Sequence, residues 1–238
     1  KQKTAYEIRP RDWSSDVCSS DLRYTLEAGL VRGCPSEMSR LIFMLEEASL
    51  KVLLDGLLPR LFPELSFQCI AHEGKSDLRK SLPRKLSAWK IPGDRFVVVQ
   101  DKDGSDCIAL KNDLIELVGT GGRPDTLVRI ACYELESWYF GQPEALARVF
   151  GDPSLRGLGS KSAYRQPDSI DQPSKRLAKL CPAFQKIGTA RAMARYLDPK
   201  ANRSHSFKVL IDGIARMSGI RPQQGRTADY AATKPSRA

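Results

Sequence analysis

From residue 40 onward the apolar positions follow two alternating patterns. LIFML (41–45) is a short unbroken apolar run, which predicts a strand buried on both faces. Ser49 then offers a helix N-cap ahead of LKVLLDGLLPRLF, whose leucines recur at helical spacing. LSFQCIA (65–71) predicts a second strand, and SDLRKSLPRKLSAWK (76–90) a helix with a basic face that Pro83 kinks or splits. RFVVVQ (95–100) predicts a third strand, followed by a helix over IALKNDLIELV (108–118) that the Gly121-Gly122 pair ends. TLVRIACYE (126–134) predicts a fourth strand, and ESWYFGQPEALARVF (136–150) leads into another helix. Four strand–helix alternations imply an α/β fold, a mainly parallel four-stranded sheet flanked by helices.

The pattern changes after residue 150. Residues 151–175 are rich in Gly, Ser, Pro and Asp and read as a long loop or hairpin insertion. Helices are then expected over PSKRLAKL (173–180), TARAMARYL (189–197) and SFKVLIDGIARM (206–217), a small helical C-terminal extension. The polar tail over 220–238 reads as disordered. At the other end, residues 1–22 show no apolar period and no signal-peptide core. They resemble a translated sequencing adapter, so 1–37 is read as an artefactual or disordered leader with a native start at Met38. The expected division is therefore 1–37 leader, 38–150 α/β domain, 151–219 basic loop plus helices, and 220–238 tail.

Composition narrows this picture. The chain has 238 residues, and 41% are hydrophobic, enough for a packed core. No window approaches the roughly 18 apolar residues of a membrane span. Six cysteines without CxxC spacing fit a reduced, cytoplasmic setting, with Cys69 and Cys132 as core thiols. The net charge of +10 is unevenly placed: residues 38–150 hold 15 basic and 16 acidic groups, residues 151–238 hold 17 and six. The surplus thus lies in the C-terminal part, which favours an anionic partner there, nucleic acid first.

The acidic groups mark strand ends. Glu46 and Glu47 end the first strand, Asp101 and Asp103 the third, Glu134 and Glu136 the fourth. In an open parallel sheet the carboxyl ends of the strands form the site-bearing edge. With strands one and three adjacent, as in a flavodoxin-like order, Glu46, Asp101 and Asp103 converge on a topological switch point. Carboxylates gathered there call for a cation, and Mg²⁺ (or Mn²⁺) takes such oxygens. An Asp-x-Asp in extended chain spaces its carboxylates about 6–7 Å apart on one side. Glu47 reads as the bystander of its pair, and Asp106 as the cap of the next helix.

Strand–Glu46–helix followed by a strand ending in Asp101-x-Asp103 resembles the TOPRIM domain of topoisomerases, primases and overcoming-lysogenization-defect nucleases. The resemblance implies acid/base or metal chemistry at Glu46 and Mg²⁺ on the Asp pair. More closely, LEEAS, HEGKSDL, QDKDGSDC, ACYELESWY and NRSHSF resemble an uncharacterised bacterial TOPRIM-like family, a domain of unknown function, over residues 40–215. Related families act beside an ATPase partner in phage defence. The usual TOPRIM turn has Gly after the Glu; this chain has Glu47.

The expectation is a Mg²⁺-dependent nuclease with Glu46, Asp101 and Asp103 on metal, and Glu134 and Glu136 as further ligand or general base. Lys186, Arg191, Arg203 and Ser204 are expected to contact nucleic-acid phosphates. Two alternatives stand beside it: a regulatory or toxin-like module working with an ATPase, and a metal-dependent phosphotransferase acting on a small substrate. His72, at the end of the second strand, could reach a phosphate or fill a turn. Trp138 and Tyr139 could stack a base, but core packing is the more natural role.

Overall fold

A computed structural model describes residues 40–102, 104 and 106–223. The expected leader, the tail beyond residue 223 and Asp103 lie outside the described residues. Of the expected disordered tail, Ile220 packs against the core and Gln223 N donates to Leu61 O at 2.6 Å. Four strands form one parallel sheet in the order β2-β1-β3-β4: β1 (Leu41–Leu45), β2 (Phe67–Ala71), β3 (Arg95–Asp101) and β4 (Leu127–Ala131). β1 therefore lies beside β3, as the flavodoxin-like reading requires. The register aligns Leu45 with Ala71 and Val99, and Asp101 with Ala131, so all four strands end on one edge.

Side-chain alternation along the strands divides the core in two. Ile42, Met44, Phe96, Val98, Val128 and Ile130 face α2 (Lys75–Ala88) and α3 (Cys107–Thr120). Leu41, Phe43, Leu45, Val97 and Val99 face α1 (Ala48–Leu61) and the C-terminal helices. These are α4 (Glu136–Phe140), α5 (Pro143–Phe150), α6 (Pro173–Leu180), α7 (Lys186–Met193) and α8 (His205–Ser218). One continuous apolar core joins α1 to residues as late as Ile214. Gly56 lets α1 and α7 approach, since a Cβ there would stand 2.9 Å from Ala194 Cβ. Among the described residues no helix is long and apolar enough to cross a membrane.

Several local expectations need correction. Ser49 lies inside α1; Glu47 is its N-cap residue, in extended conformation (φ −140°), and the Ser49 hydroxyl donates to the Glu47 carboxylate. An extended backbone suits any side chain, so the turn does not require the glycine of the TOPRIM pattern. Pro83 sits within α2 without splitting it. The helix expected over 136–150 is two helices, broken at Gly141-Gln142, with Pro143 starting the second. Gly141 keeps helical backbone, and the chain leaves the helix at Gln142 (φ −136°, ψ 77°), the residue before Pro143. Glycine is needed at 141 because a Cβ there would sit far inside contact distance of Asn202 Oδ1. Asn202 is fully buried, donates to Trp138 O at 2.8 Å and accepts from Ser204 N at 2.8 Å. Residues 151–175 form no hairpin but three 3₁₀ segments, Pro153–Ser160, Ser162–Tyr164 and Pro167–Ser169.

Candidate active site

The strand ends bring acidic groups together as their positions imply. Glu46 leaves β1 at the switch point, and its Oε2 accepts the backbone N–H of Asp101 at 3.1 Å. Asp101, the last residue of β3, is only 8% exposed. Glu47, far from being a bystander, pairs with Lys186 Nζ at 3.1 Å, so α7 returns a cation to the edge where α1 begins. After β4 the chain turns through Tyr133, whose φ of 62° lies in the left-handed region. For a bulky residue that conformation costs about 1 kcal/mol or more. The turn is followed at once by Glu134 and Glu136. Glu134 Oε2 accepts Ser174 N at 2.7 Å, in the first turn of α6.

Glu136 differs from the rest. It is 1% exposed, and neither carboxylate oxygen has a hydrogen-bond partner. The buried hydroxyls of Ser137 and Tyr139 are likewise unpartnered. Burial pushes the Glu136 carboxyl up to about 7; Lys186 opposes that rise, while Glu47 and Glu134 add to it. Burial also raises the Tyr139 phenol, with Glu136, Glu47 and Asp101 contributing. For Lys186 desolvation works against the ammonium, but Glu47, Glu136 and Glu134 outweigh it and raise its pKa. A carboxyl raised toward neutral pH by burial is suited to proton exchange.

A family model described as a domain of unknown function, DUF4276, matches residues 45–215. The chain belongs to this family. No curated protein and no solved structure matches. The DUF4276 span runs from the end of β1 into α8, so it contains every acidic group just described together with Lys186. It thereby joins the sheet edge and the helices that close it in one family unit.

Within the DUF4276 span the Glu46 carboxylate lies against the backbone of Asp101, and Glu136 carries two orphaned oxygens, oxygen donors of the type a hard divalent cation takes. Among the described residues, no three His, Cys, Asp or Glu side chains are placed to hold a metal ion. Asp103, the remaining residue of the expected metal set, lies outside them.

The expected phosphate contacts separate. Lys186 belongs to the acidic edge, and Arg191 is exposed on α7. Arg203 donates instead to the carbonyls of Gly159, Arg165 and Phe140, stapling the 3₁₀ connector to α4. Ser204 is fully buried and caps α8 by accepting Phe207 N at 3.2 Å, which takes its hydroxyl away from any surface phosphate. The residue that sequence reasoning missed here is Asp168. Its carboxylate accepts His205 N (2.6 Å), Ser206 N (3.1 Å), Ser204 Oγ (2.7 Å) and Ser206 Oγ (3.0 Å). Nothing local distinguished it from other Asp residues of a polar connector.

His72 is 5% exposed and serves structure: its Nδ1–H donates to Leu45 O at 2.9 Å, and Nε2 accepts from Lys85 at 2.7 Å. Burial lowers its pKa, the Leu45 carbonyl opposes this, and Lys85 adds to the lowering. Trp138 and Tyr139 are core residues, at 1% and 0% exposure, and Trp138 Nε1 donates to Ser206 Oγ at 3.0 Å. Cys69 and Cys132 are buried thiols, as expected, with pKa raised by burial. Asp106 caps α3 by accepting Ala109 N at 2.8 Å.

Proposed function

We propose that the protein is a divalent-metal-dependent, TOPRIM-like hydrolase that cleaves nucleic-acid phosphodiesters. One observation carries the reading: at the β1–β3 switch point Glu46 and Asp101 adjoin, while Glu136 offers two buried, unpartnered oxygens and a pKa of about 7. Glu46, Asp101 and Asp103 would hold Mg²⁺ or Mn²⁺, which would supply activation of water and neutralisation of charge on the phosphate. Glu136 takes the proton from the attacking water, its pKa lying close to the working pH. Glu134, oriented by Ser174 N, serves as a further ligand or base. Lys186 holds the acidic groups together before substrate arrives and faces the phosphate afterwards.

The test is incubation of the purified full chain with end-labelled DNA and RNA, in Mg²⁺, in Mn²⁺ and in chelator. Product is expected only with metal, is abolished by Asp101→Ala, and falls about 100-fold or more with Glu136→Gln. Cleavage that persists in chelator, or that survives Asp101→Ala, would overturn the assignment. So would the absence of product on every substrate with either metal.

A further inference from the structure

A groove of about 360 Å³ runs along α6, with Tyr164, Asp171, Lys175, Arg176 and Lys179 among its lining residues. None of these belongs to the carboxylate edge, yet the two sites adjoin. Ser174, one residue before Lys175, donates its backbone N–H to Glu134 at 2.7 Å. Lys179 follows Ser174 by only about 7 Å of helix.

The groove combines two chemistries. Lys175 and Lys179 stand four residues apart, so they share one face of α6. Arg176 donates from Nε to Asp171 O at 2.8 Å, which fixes the stem of its guanidinium. Three cations therefore stand against the single carboxylate of Asp171. Tyr164 supplies the second chemistry. Its ring lies nearly parallel to that of Phe140 (centroids 5.2 Å apart, planes at 19°), and Phe140 is fully buried. A half-exposed ring backed by an immobile one is a stiff platform for stacking.

Cations that follow a phosphate chain, beside an aromatic ring that accepts a base face, are the combination by which proteins hold single strands. Paired bases in a duplex present no free face to such a ring. The volume lies at the low end for ligand sites, which suits about one nucleotide with its neighbours extending along the surface. We infer that the α6 groove is a binding site for single-stranded nucleic acid, leading the strand to the carboxylate edge at Glu134. The inference rests on the hydrolase reading for its purpose, but its binding test is independent of turnover.

Fluorescence anisotropy of a labelled single-stranded oligonucleotide is measured with the full chain in chelator, over a range of salt. The wild type is expected to bind, and more tightly than to duplex of the same sequence. Lys175→Gln with Lys179→Gln weakens binding at least tenfold and reduces the slope of log affinity against log salt by about 1.4. Tyr164→Leu weakens it about fivefold or more at unchanged slope, and Tyr164→Phe, which keeps the ring, restores it. No binding by the wild type, or wild-type binding by both the double-lysine and Tyr164→Leu variants, overturns the inference. So does a polyglutamate peptide bound as tightly as the oligonucleotide, which would mark the groove as a dock for an acidic protein. Binding that follows these rules without cleavage in any metal removes the hydrolase reading and leaves the groove. Cleavage by a protein whose groove variants bind normally does the reverse.

Discussion

Replacing Glu136 by Gln is expected to make the protein more stable at alkaline pH. The side chain is 1% exposed and unpartnered, and its carboxyl is pushed from 4.5 up to about 7. A folded-state pKa above the unfolded one means that the folded chain holds the proton more tightly. The stability tied to that proton is therefore fully present below about pH 4.5 and is lost as pH rises through about 7. The interval corresponds to about 3 kcal/mol, and Gln, similar in shape and uncharged throughout, does not lose it. Since denatured chains are partly compact, a gain of about 2 kcal/mol over wild type at pH 8 is a sound expectation. Urea denaturation of both proteins from pH 4.5 to 8 measures it, because groups that do not interact with Glu136 cancel in the difference. The two curves should coincide near pH 4.5 and diverge steadily to about pH 7. A variant no more stable than wild type at pH 8, or a gap independent of pH, would refute the reasoning. The same substitution is expected to abolish most activity, so stability and function should move in opposite directions at this residue.

Other positions make separate demands. Asp168→Ala removes four hydrogen bonds at the start of α8 and leaves buried donors behind, so a loss of about 2–4 kcal/mol is expected in thermal or urea unfolding. Gly141→Ala drives a methyl group into the buried Asn202 amide and is expected to cost about 3 kcal/mol or to prevent soluble expression. His72, one of two histidines, is expected to titrate below its ordinary 6.5 in NMR, with the proton on Nδ1 when neutral. Its pKa is lowered, so its share of stability is present above 6.5 and is lost on acidification; a midpoint at or above 6.5 would contradict the burial argument. The half-exposed Lys186–Glu47 pair should show a coupling below about 1 kcal/mol in a double-mutant cycle, despite its central place in the site.

The sheet was legible because its strands are unbroken apolar runs such as LIFML and RFVVVQ, a pattern that only a doubly covered strand requires. Strand order was not dictated by the alternation; the flavodoxin-like order, taken as a condition, is the one found, and it brings Glu46 to Asp101. Features set by distant partners were not legible. The need for glycine at 141 depends on Asn202, whereas the break beside it had a local sign in the Gly-Gln-Pro run. Lys186 reads as one more surface cation until α7 is seen to return to Glu47, 139 residues away. Ser204 carried a readable signal, a serine just ahead of an apolar-periodic segment, which marks a helix cap before it marks a phosphate contact.

That long return has a consequence for how the site comes into being. Each βα unit of the sheet closes over short stretches of chain, whereas α6 and α7 reach the carboxylate edge only after the whole connector has been laid down. Without those two helices the strand ends would carry the same acidic groups but not the partners that α6 and α7 supply. Docking brings the ammonium of Lys186 to Glu47, Ser174 to Glu134, and the buried surroundings that change Glu136. The environment that raises the Glu136 pKa thus depends on segments far along the chain, and the closed core and the altered carboxyl come from the same contacts.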